Sequence, residues 1–308
     1  MIQLLAGTNI PFMKFRRTAY IVSSAAILAT LVWLVVNGGP RYSVDFTGGT
    51  MVQIRTANEL PADQVRAALG QAGFEGFELQ TIAGEGGHEY MVRLSGASAT
   101  DAFPAVEKAL TQRFPNEKIE LRRTETVGPK VGSELRVKAI WAVLTSLGAI
   151  LLYVGFRYEF KFALGAVVAL FHDVIVTLGV LCFTGREVSL TVVAALLTIA
   201  GFSINDKIVV FDRIRERHKA LRREKFSRMM DIAVNETLSR TVVTNITVLL
   251  TALALLFWGG EVLRDFSLAI TVGMLIGTYS SILLASALAL DIWISIERRK
   301  DSKNTQAE

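Results

Sequence analysis

The chain alternates between long apolar runs and polar segments on a scale longer than ordinary secondary structure. Six runs approach the roughly 20 residues that a helix needs to cross a bilayer. They lie at about 18–37, 138–156, 162–183, 189–211, 240–258 and 266–294. The polar stretch between the first two runs shows shorter periodicities instead. This pattern predicts a polytopic α-helical membrane protein with six transmembrane helices and one large domain between helices 1 and 2.

The polar stretch itself predicts a small α+β domain. Side chains alternate between apolar and polar from Val44 to Arg55, as in a half-buried strand. Helical spacing follows in 65–72 and 103–110, and the remaining strands are expected at 77–82, 89–94 and 119–121. The order βαββαβ is that of a ferredoxin-like domain. The pairs Gly48-Gly49 and Gly86-Gly87 fit ordinary turns, because neither belongs to a phosphate-binding pattern.

Lysine and arginine are distributed unevenly between the two sides of the predicted helices. Three precede the first run, two lie in 157–161, nine in 213–240 and four after 297, whereas the short loops on the other side carry one each. By the positive-inside rule both termini are cytoplasmic and the α+β domain is exported. The predicted organisation is a cytoplasmic N-terminus with the first helix (1–37), a periplasmic domain (38–136), helices 2 to 6 (137–296) with a basic cytoplasmic loop (213–238), and a cytoplasmic tail (297–308).

Composition agrees with a membrane protein. Of the 308 residues, 51% are hydrophobic, more than expected for a soluble domain, and the net charge of +5 reflects the basic cytoplasmic segments rather than nucleic-acid binding. The first run is longer than the 7–15 apolar residues of a signal peptide, so we interpret it as an uncleaved anchor. In the basic segment, Phe226, Met229 and Met230 share one helical face, which predicts an amphipathic helix on the membrane surface.

Asp206 lies within the fourth apolar run, with apolar residues on both sides. A charge at the centre of a membrane helix costs about 2.5–3.5 kcal/mol on insertion scales and is usually retained for function. The fifth run begins with Arg240. At a rise of 1.5 Å per residue, Asp206 lies roughly 9 Å and Arg240 roughly 13 Å from the midplane, both on the cytoplasmic side. The pair predicts proton coupling; the alternative is a static ion pair that locks two helices.

Other polar residues could accompany this pair. Asn205 is its neighbour in sequence, and Thr244 and Thr247 continue the helical face of Arg240. Lys207 is about 100° around the helix from Asp206 and is expected to extend to the cytoplasmic interface.

The third and sixth runs carry further polar and small residues. His172 and Asp173 lie near the middle of the third run, and we interpret them as structural, with a place on a proton path as the alternative. In the sixth run Gly273, Gly277 and Ser281 recur every four residues and predict close helix packing. We found no sequence motif for covalent catalysis, a metal or a cofactor.

A family resemblance rests on eight segments that occur in the same order along the whole chain. They are Val44–Thr50, Val127–Pro129, Gly132–Leu135, Phe156–Glu159, His172-Asp173, Ser203–Glu216, Asn235–Thr241 and Gly277–Ile282. In these segments the chain resembles the SecF branch of the SecD/SecF family, which belongs to the RND superfamily.

The resemblance implies an RND-type half bundle that pairs with SecD in the bacterial inner membrane. It further implies association with the SecYEG channel, with YajC and YidC as further candidates, and use of the proton-motive force to promote preprotein translocation. The family ties proton transport to the positions of Asp206 and Arg240. The chain has no SecD half, so that partner is expected to be a separate protein.

Three other functions remain open from the sequence. One is half of an RND-type exporter of lipids or small molecules, although the exported domain is small for that role. Another is a scaffold subunit that conducts no protons. The third, an intramembrane enzyme using His172 and Asp173, is disfavoured because no nucleophile or zinc-binding motif accompanies them.

Overall fold

The structure is a computed structural model. It describes residues 7–74, 77–84, 87–94, 99–157, 160–220 and 224–305. Two compact units divide the chain: a helical unit of Met1–Arg41 and Trp141–Glu308, and a sheet-containing unit of Tyr42–Ile140. Tyr158 and Glu159 of the fourth family segment, Gly86 of the second glycine pair, and residues 221–223 of the basic segment lie outside the described ranges.

Within the part of the chain that the structure describes, six helices are long and apolar enough to cross a membrane, which confirms the prediction of six spans. The first is α1 (Arg16–Val36), preceded by a 3₁₀ turn at Phe12–Phe15. Four more are α5 (Pro129–Arg157), α6 (Phe160–Phe183), α7 (Leu190–Ala220) and α8 (Phe226–Trp258). The sixth span joins α9 (Gly260–Tyr279), a π-helical turn (Ser280–Leu284) and α10 (Ala285–Thr305).

The predicted amphipathic surface helix is wrong. Helix α7 continues to Ala220, and α8 already begins at Phe226, so the basic segment consists largely of extensions of two spans. The apolar face around Met229 and Met230 is buried in the core of the helical unit, in a cluster that also contains Phe12 and Met13. Burial against protein removes this face from water as fully as a lipid surface would, so no separate surface helix is needed.

The sheet-containing unit has the predicted ferredoxin-like order. Its elements are a one-turn helix α2 (Val44–Thr47), β1 (Gly49–Thr56), α3 (Ala62–Gln71), β2 (Glu78–Gly84), β3 (Gly87–Leu94), α4 (Ala99–Arg113) and β4 (Glu120–Val127). The four strands are antiparallel in the order β2-β3-β1-β4. Val52, Ile54 and Val92 belong to a buried cluster that the two helices complete. The expected strand from Val44 starts later, because Ser43 caps the α2 turn by accepting a hydrogen bond from the Asp45 amide.

The Gly48-Gly49 turn connects α2 to β1 and requires glycine. Both residues have positive φ, +74° and +117°. A Cβ on Gly48 would lie 2.6 Å from the Cα of Pro129 at the start of α5, closer than two carbons can approach. Gly132, one turn into α5, is equally restricted, since its Cβ would lie 2.9 Å from the Gly48 nitrogen. These glycines therefore allow the start of β1 and the start of α5 to pack backbone against backbone.

Candidate functional site

A fully buried ion pair lies in the middle of the helical unit. The Lys207 Nζ on α7 is 2.9 Å from the Asp173 Oδ2 on α6, and both side chains have no exposed surface. The same ammonium donates to the hydroxyls of Ser203, Ser280 and Ser281 at 2.5, 3.0 and 3.3 Å. We call Asp173, Lys207 and these three serines the Asp173–Lys207 cluster. It joins α6, α7 and the π turn of the sixth span.

The local helix geometry explains how five polar groups converge. Ser203 and Lys207 are one turn apart on α7 and therefore lie on one face. Consecutive residues of an α-helix point about 100° apart, and the wider π turn is the segment in which Ser280 and Ser281 both reach the same ammonium. Gly277 leaves room for the contact, because a Cβ there would lie 3.2 Å from the Ser203 Oγ.

Hydrogen bonding in the cluster compensates the burial of two charges. The Asp173 Oδ2 accepts from the Ser203 and Ser280 hydroxyls, both at 2.7 Å, in addition to Lys207. The other carboxylate oxygen is 3.0 Å from the Nδ1 of His172, which is itself buried. Buried opposite charges are tolerated when their remaining donors and acceptors are satisfied in this way. The cluster thus pairs two buried charges and connects three helical segments.

The expectation that Lys207 extends to the cytoplasmic interface is wrong, because its side chain is fully buried. It turns inward because Asp173 neutralises its charge and three hydroxyls surround it, and these contacts offset the cost of burying an ammonium.

Asp206, the next residue before Lys207, has a different environment. It is 5% exposed, and its Oδ2 accepts a hydrogen bond of 2.7 Å from the Nδ2 of Asn245 on α8. The same amide nitrogen donates to the Thr278 Oγ1 on α9 at 2.8 Å. Thr278 in turn donates to the carbonyl of Met274, which leaves its oxygen free to accept from Asn245. A neutral amide therefore links the Asp206 carboxylate to the sixth span.

Arg240 does not form the predicted direct contact. Within the described residues, Asp206 and Arg240 make no ion pair, and the Arg240 side chain is exposed on the surface of the helical unit. Its charge still acts on Asp206 through space. The physical reason is depth: Asn245 lies five residues further along α8, level with Asp206, so its short side chain takes the position expected for the guanidinium.

Three other predicted polar residues are, like Arg240, at least partly exposed on the helical unit. Asn205 and Thr247 are exposed and Thr244 is partly exposed, so none of them lines the interior around Asp206. Thr247 bonds to the Thr244 carbonyl, a contact within α8.

The three small residues of the sixth span, Gly273, Gly277 and Ser281, all have close neighbours on α7. A Cβ on Gly273 would lie 2.3 Å from the Ile199 Cδ1, so α9 and α7 approach closely there. At Gly277 the close neighbour is Ser203, and Ser281 contacts Lys207. Two of these three positions thus lie at the Asp173–Lys207 cluster, which the spacing alone did not reveal.

The sequence analysis does not identify Asn245, and it places Lys207 in the wrong environment. Asn245 is an amide within an apolar helix and in phase with Thr241, a signal comparable with that of Asp206. Lys207 was recognised but placed wrongly, and its one local signal was Ser203 a turn away. Among the described residues no group of three or more His, Cys, Asp or Glu side chains is arranged to hold a metal ion.

Comparison with known proteins identifies the family. The family model described as "Protein export membrane protein SecD/SecF, C-terminal" matches residues 105–294, and the "SecD/SecF GG Motif" model matches residues 32–59, which contain Gly48 and Gly49. The protein translocase subunit SecF of Calditerrivibrio nitroreducens is 40% identical over 289 residues, covering 91% of this chain and 93% of that protein. SecF of Haemophilus influenzae is 38% identical over 301 residues, covering 96% and 91%.

A solved structure has the same fold. The crystal structure of Thermus thermophilus SecDF, described as a translocon-associated membrane protein, superposes with a TM-score of 0.83 at 40% identity. The match covers 96% of this chain but 40% of the SecDF chain, so this chain corresponds to less than half of that protein. A SecDF structure in a super-membrane-facing form matches with a TM-score of 0.68. These findings confirm the resemblance read from the motifs: the chain is a multi-pass membrane protein that belongs to the SecD/SecF family of protein-export membrane proteins, on its SecF branch.

Proposed function

We propose that this chain pairs with a SecD protein in the bacterial cytoplasmic membrane, with both termini cytoplasmic, and uses the proton-motive force to promote preprotein translocation through SecYEG. Asp206 carries the proton, and Arg240 is the counter-charge that the ionised carboxylate meets in another conformation of the complex. The single observation that supports this most directly is the partner of Asp206. A buried carboxylate whose direct partner is the neutral amide of Asn245 can gain or lose a proton without breaking an ion pair.

The electrostatics of Arg240 support the counter-charge role. It lies on α8 with Asn245, and its charge acts on Asp206 without direct contact. A rotation or shift of α8 would exchange the amide for the guanidinium at the carboxylate. Moving one charge across 100 mV is worth about 2.3 kcal/mol, which is enough to bias such an exchange.

The exposed polar residues support a companion membrane subunit. Asn205, Arg240 and Thr247 lie within or at the ends of spans, yet they are exposed on the helical unit. Polar groups at membrane depth normally face protein or a water-filled cavity rather than lipid. Among the relatives, the Thermus thermophilus protein is named SecDF and is 43% identical to this chain over a region that makes up 39% of its length, which supports SecD as the protein that covers these residues.

The test is proton uptake by proteoliposomes that contain the complex of this chain with SecD. Asp206→Asn keeps the size and the ability to accept from Asn245, so the complex is expected to assemble normally while proton flux falls to the background of protein-free vesicles. A matched Asp63→Asn variant, in which an exposed carboxylate of the sheet-containing unit is altered, is expected to keep wild-type flux. Normal flux and normal secretion in Asp206→Asn would instead favour a scaffold that conducts no protons.

A further inference from the structure

The sixth span carries a line of hydroxyl groups that leads away from the Asp206 site. The Thr278 hydroxyl accepts a hydrogen bond from the Asn245 amide. Thr271 and Ser267 lie seven and eleven residues before Thr278 on α9. Positions i, i+4 and i+11 fall on one face of a helix. We call Ser267, Thr271 and Thr278 the α9 hydroxyl stripe.

Two hydroxyls of the stripe are buried without a partner. The Ser267 Oγ and the Thr271 Oγ1 have almost no exposed surface, and they bond to no other protein group among the described residues. The whole Ser267 residue is 0% exposed. A buried hydroxyl without a hydrogen bond costs about 1–3 kcal/mol, and such groups in native proteins call for a reason such as a bound water or a role in chemistry.

The stripe has the length and position of half a membrane crossing. At 1.5 Å per residue, Ser267 and Thr278 are about 16 Å apart along α9, roughly half of a 30 Å hydrocarbon core. Near its far end Asp265 pairs with Arg186 at 3.2 Å, at the end of the helical unit opposite the cytoplasmic termini proposed above. Asp206 and Arg240 lie toward the cytoplasmic side of the proposed membrane position. The stripe therefore extends over the remaining distance, from the Asp206 site to the outer surface.

One apolar side chain interrupts the stripe. Met274 lies between Thr271 and Thr278 on the same face and is 5% exposed. Its carbonyl holds the Thr278 hydroxyl. An unbranched, adaptable side chain at this level can separate the two polar parts of the stripe and move aside when the helices shift.

We propose that the outer half of the proton route to Asp206 runs along the α9 hydroxyl stripe, from the Asp265–Arg186 pair past Met274 to Thr278. This proposal rests on the proposed function, in which Asp206 takes up the proton. Water molecules that bridge Ser267 and Thr271 carry it: each accepts one proton from the outer side and gives another to the inner side, so no net water is consumed. The last water lies at the Thr278 Oγ1 and protonates the Asp206 carboxylate.

Asn245 defines the inner end of the route. Its amide nitrogen bonds both the Thr278 Oγ1 and the Asp206 Oδ2, so these two oxygens are close enough for one bridging water. The amide itself does not titrate and serves to hold the two oxygens in place.

The first experiment removes single hydroxyls and measures proton uptake in proteoliposomes of the complete complex. Thr271→Val and Ser267→Ala are expected to lose most of the flux, whereas Thr271→Ser, which restores the hydroxyl, regains it. Thr177→Val is the matched control: the Thr177 Oγ1 is also buried and bonds to none of the described residues, but it lies on α6, off the stripe, and its loss is expected to leave the flux unchanged. Unchanged flux in Thr271→Val, or an equal loss in Thr177→Val, would overturn the proposal.

The Asp206→Asn variant separates this proposal from the proposed function. If Asp206→Asn abolishes flux and Thr271→Val does not, the carboxylate role stands and the route is wrong. If Asp206→Asn leaves flux intact, proton coupling at Asp206 itself fails.

The second experiment measures water access directly. Cys182 is the only cysteine of the chain, so Cys182→Ala leaves this chain without a thiol. In the complex, Ser267→Cys and Thr271→Cys are expected to react with a membrane-impermeant thiol reagent added from the outer side, and Thr177→Cys is expected to be protected. Protection of both stripe positions under proton-motive force would contradict a hydrated route along α9.

Discussion

Two carboxylates of the helical unit, Asp173 and Asp206, are both buried, yet they lie in opposite kinds of environment. Asp173 contacts a lysine ammonium and two serine hydroxyls through one oxygen, and a histidine through the other. Asp206 accepts one hydrogen bond from a side-chain amide. The two sites adjoin in the sequence, because Lys207, the partner of Asp173, directly follows Asp206 and lies about 100° from it around α7.

This difference indicates which carboxylate can work as a proton carrier. Protonating Asp173 would leave the Lys207 ammonium buried without a counter-charge, which is strongly unfavourable. Protonating Asp206 changes one hydrogen bond with a neutral group. Burial alone therefore does not distinguish a working carboxylate from a structural one; the set of partners does.

The largest loss of stability is expected when the buried Asp173–Lys207 ion pair is broken. Lys207→Met keeps the side-chain volume but leaves Asp173 as an uncompensated buried charge, so the free energy of unfolding should fall by about 3–5 kcal/mol. Adding Asp173→Asn removes the second charge, and the double variant is expected to be more stable than Lys207→Met alone. Thermal unfolding of the purified complex in mild detergent measures both, and the double-mutant cycle isolates the pair.

An exposed ion pair of similar length provides the control. The Lys118 Nζ is 2.8 Å from the Glu120 Oε1 in the sheet-containing unit, but the lysine side chain is 81% exposed. Lys118→Met is expected to leave the melting temperature unchanged, since exposed pairs contribute little. If the double variant were as unstable as the single one, the cluster would depend on shape rather than on charge.

A smaller effect is expected at the Asp206 site. Asn245→Leu removes one hydrogen bond to a charged group and one to Thr278, and bonds to charged groups contribute about 1.5–3 kcal/mol. We expect a loss of stability below that of Lys207→Met, together with reduced proton flux, because the carboxylate is no longer held toward Thr278. Unfolding and proteoliposome flux, measured on the same preparation, test both parts; a stability loss with wild-type flux would argue that Asn245 only connects helices.

Much of the fold could be predicted from the sequence because the signals are local. The six apolar runs follow directly from the thickness of the bilayer, and the order of strands and helices in the small domain follows from periods of two and 3.6 residues. Asp206 could be found because a single carboxylate among apolar side chains is a strong contrast.

The partners could not be predicted because they depend on tertiary geometry. Asp173 and Lys207 are 34 residues apart on different helices, and an ideal helical wheel points Ser280 and Ser281 in different directions. The π turn changes these directions, but no residue pattern in the sequence marks where it occurs. Depth arithmetic placed Arg240 near Asp206, but it could not show that Asn245 occupies the contact itself.

The smallest predicted effect concerns the packing of the Asp173–Lys207 cluster. Gly277→Ala adds a methyl group 3.2 Å from the Ser203 Oγ and 3.4 Å from its Cβ, so Ser203 must move by a few tenths of an ångström within the Asp173–Lys207 cluster. Overpacking of this size costs about 1 kcal/mol. Gly201→Ala on α7 is the matched control, since its Cβ would meet nothing within 4 Å, and it should be neutral or slightly stabilising because alanine favours helix over glycine.

Proton flux in the same two variants decides between a rigid and a mobile cluster. If the cluster is a fixed anchor, Gly277→Ala lowers the melting temperature slightly and leaves flux near wild type, because the Asp206 carboxylate bonds to Asn245 on α8 and not to a group of the cluster. If Ser203 and Lys207 instead move during each transport cycle, the added methyl group hinders that motion and flux falls further than stability does. In that case Asp173 and Asp206 would be two working parts of one mechanism, and the distinction between them drawn from their partners would no longer hold.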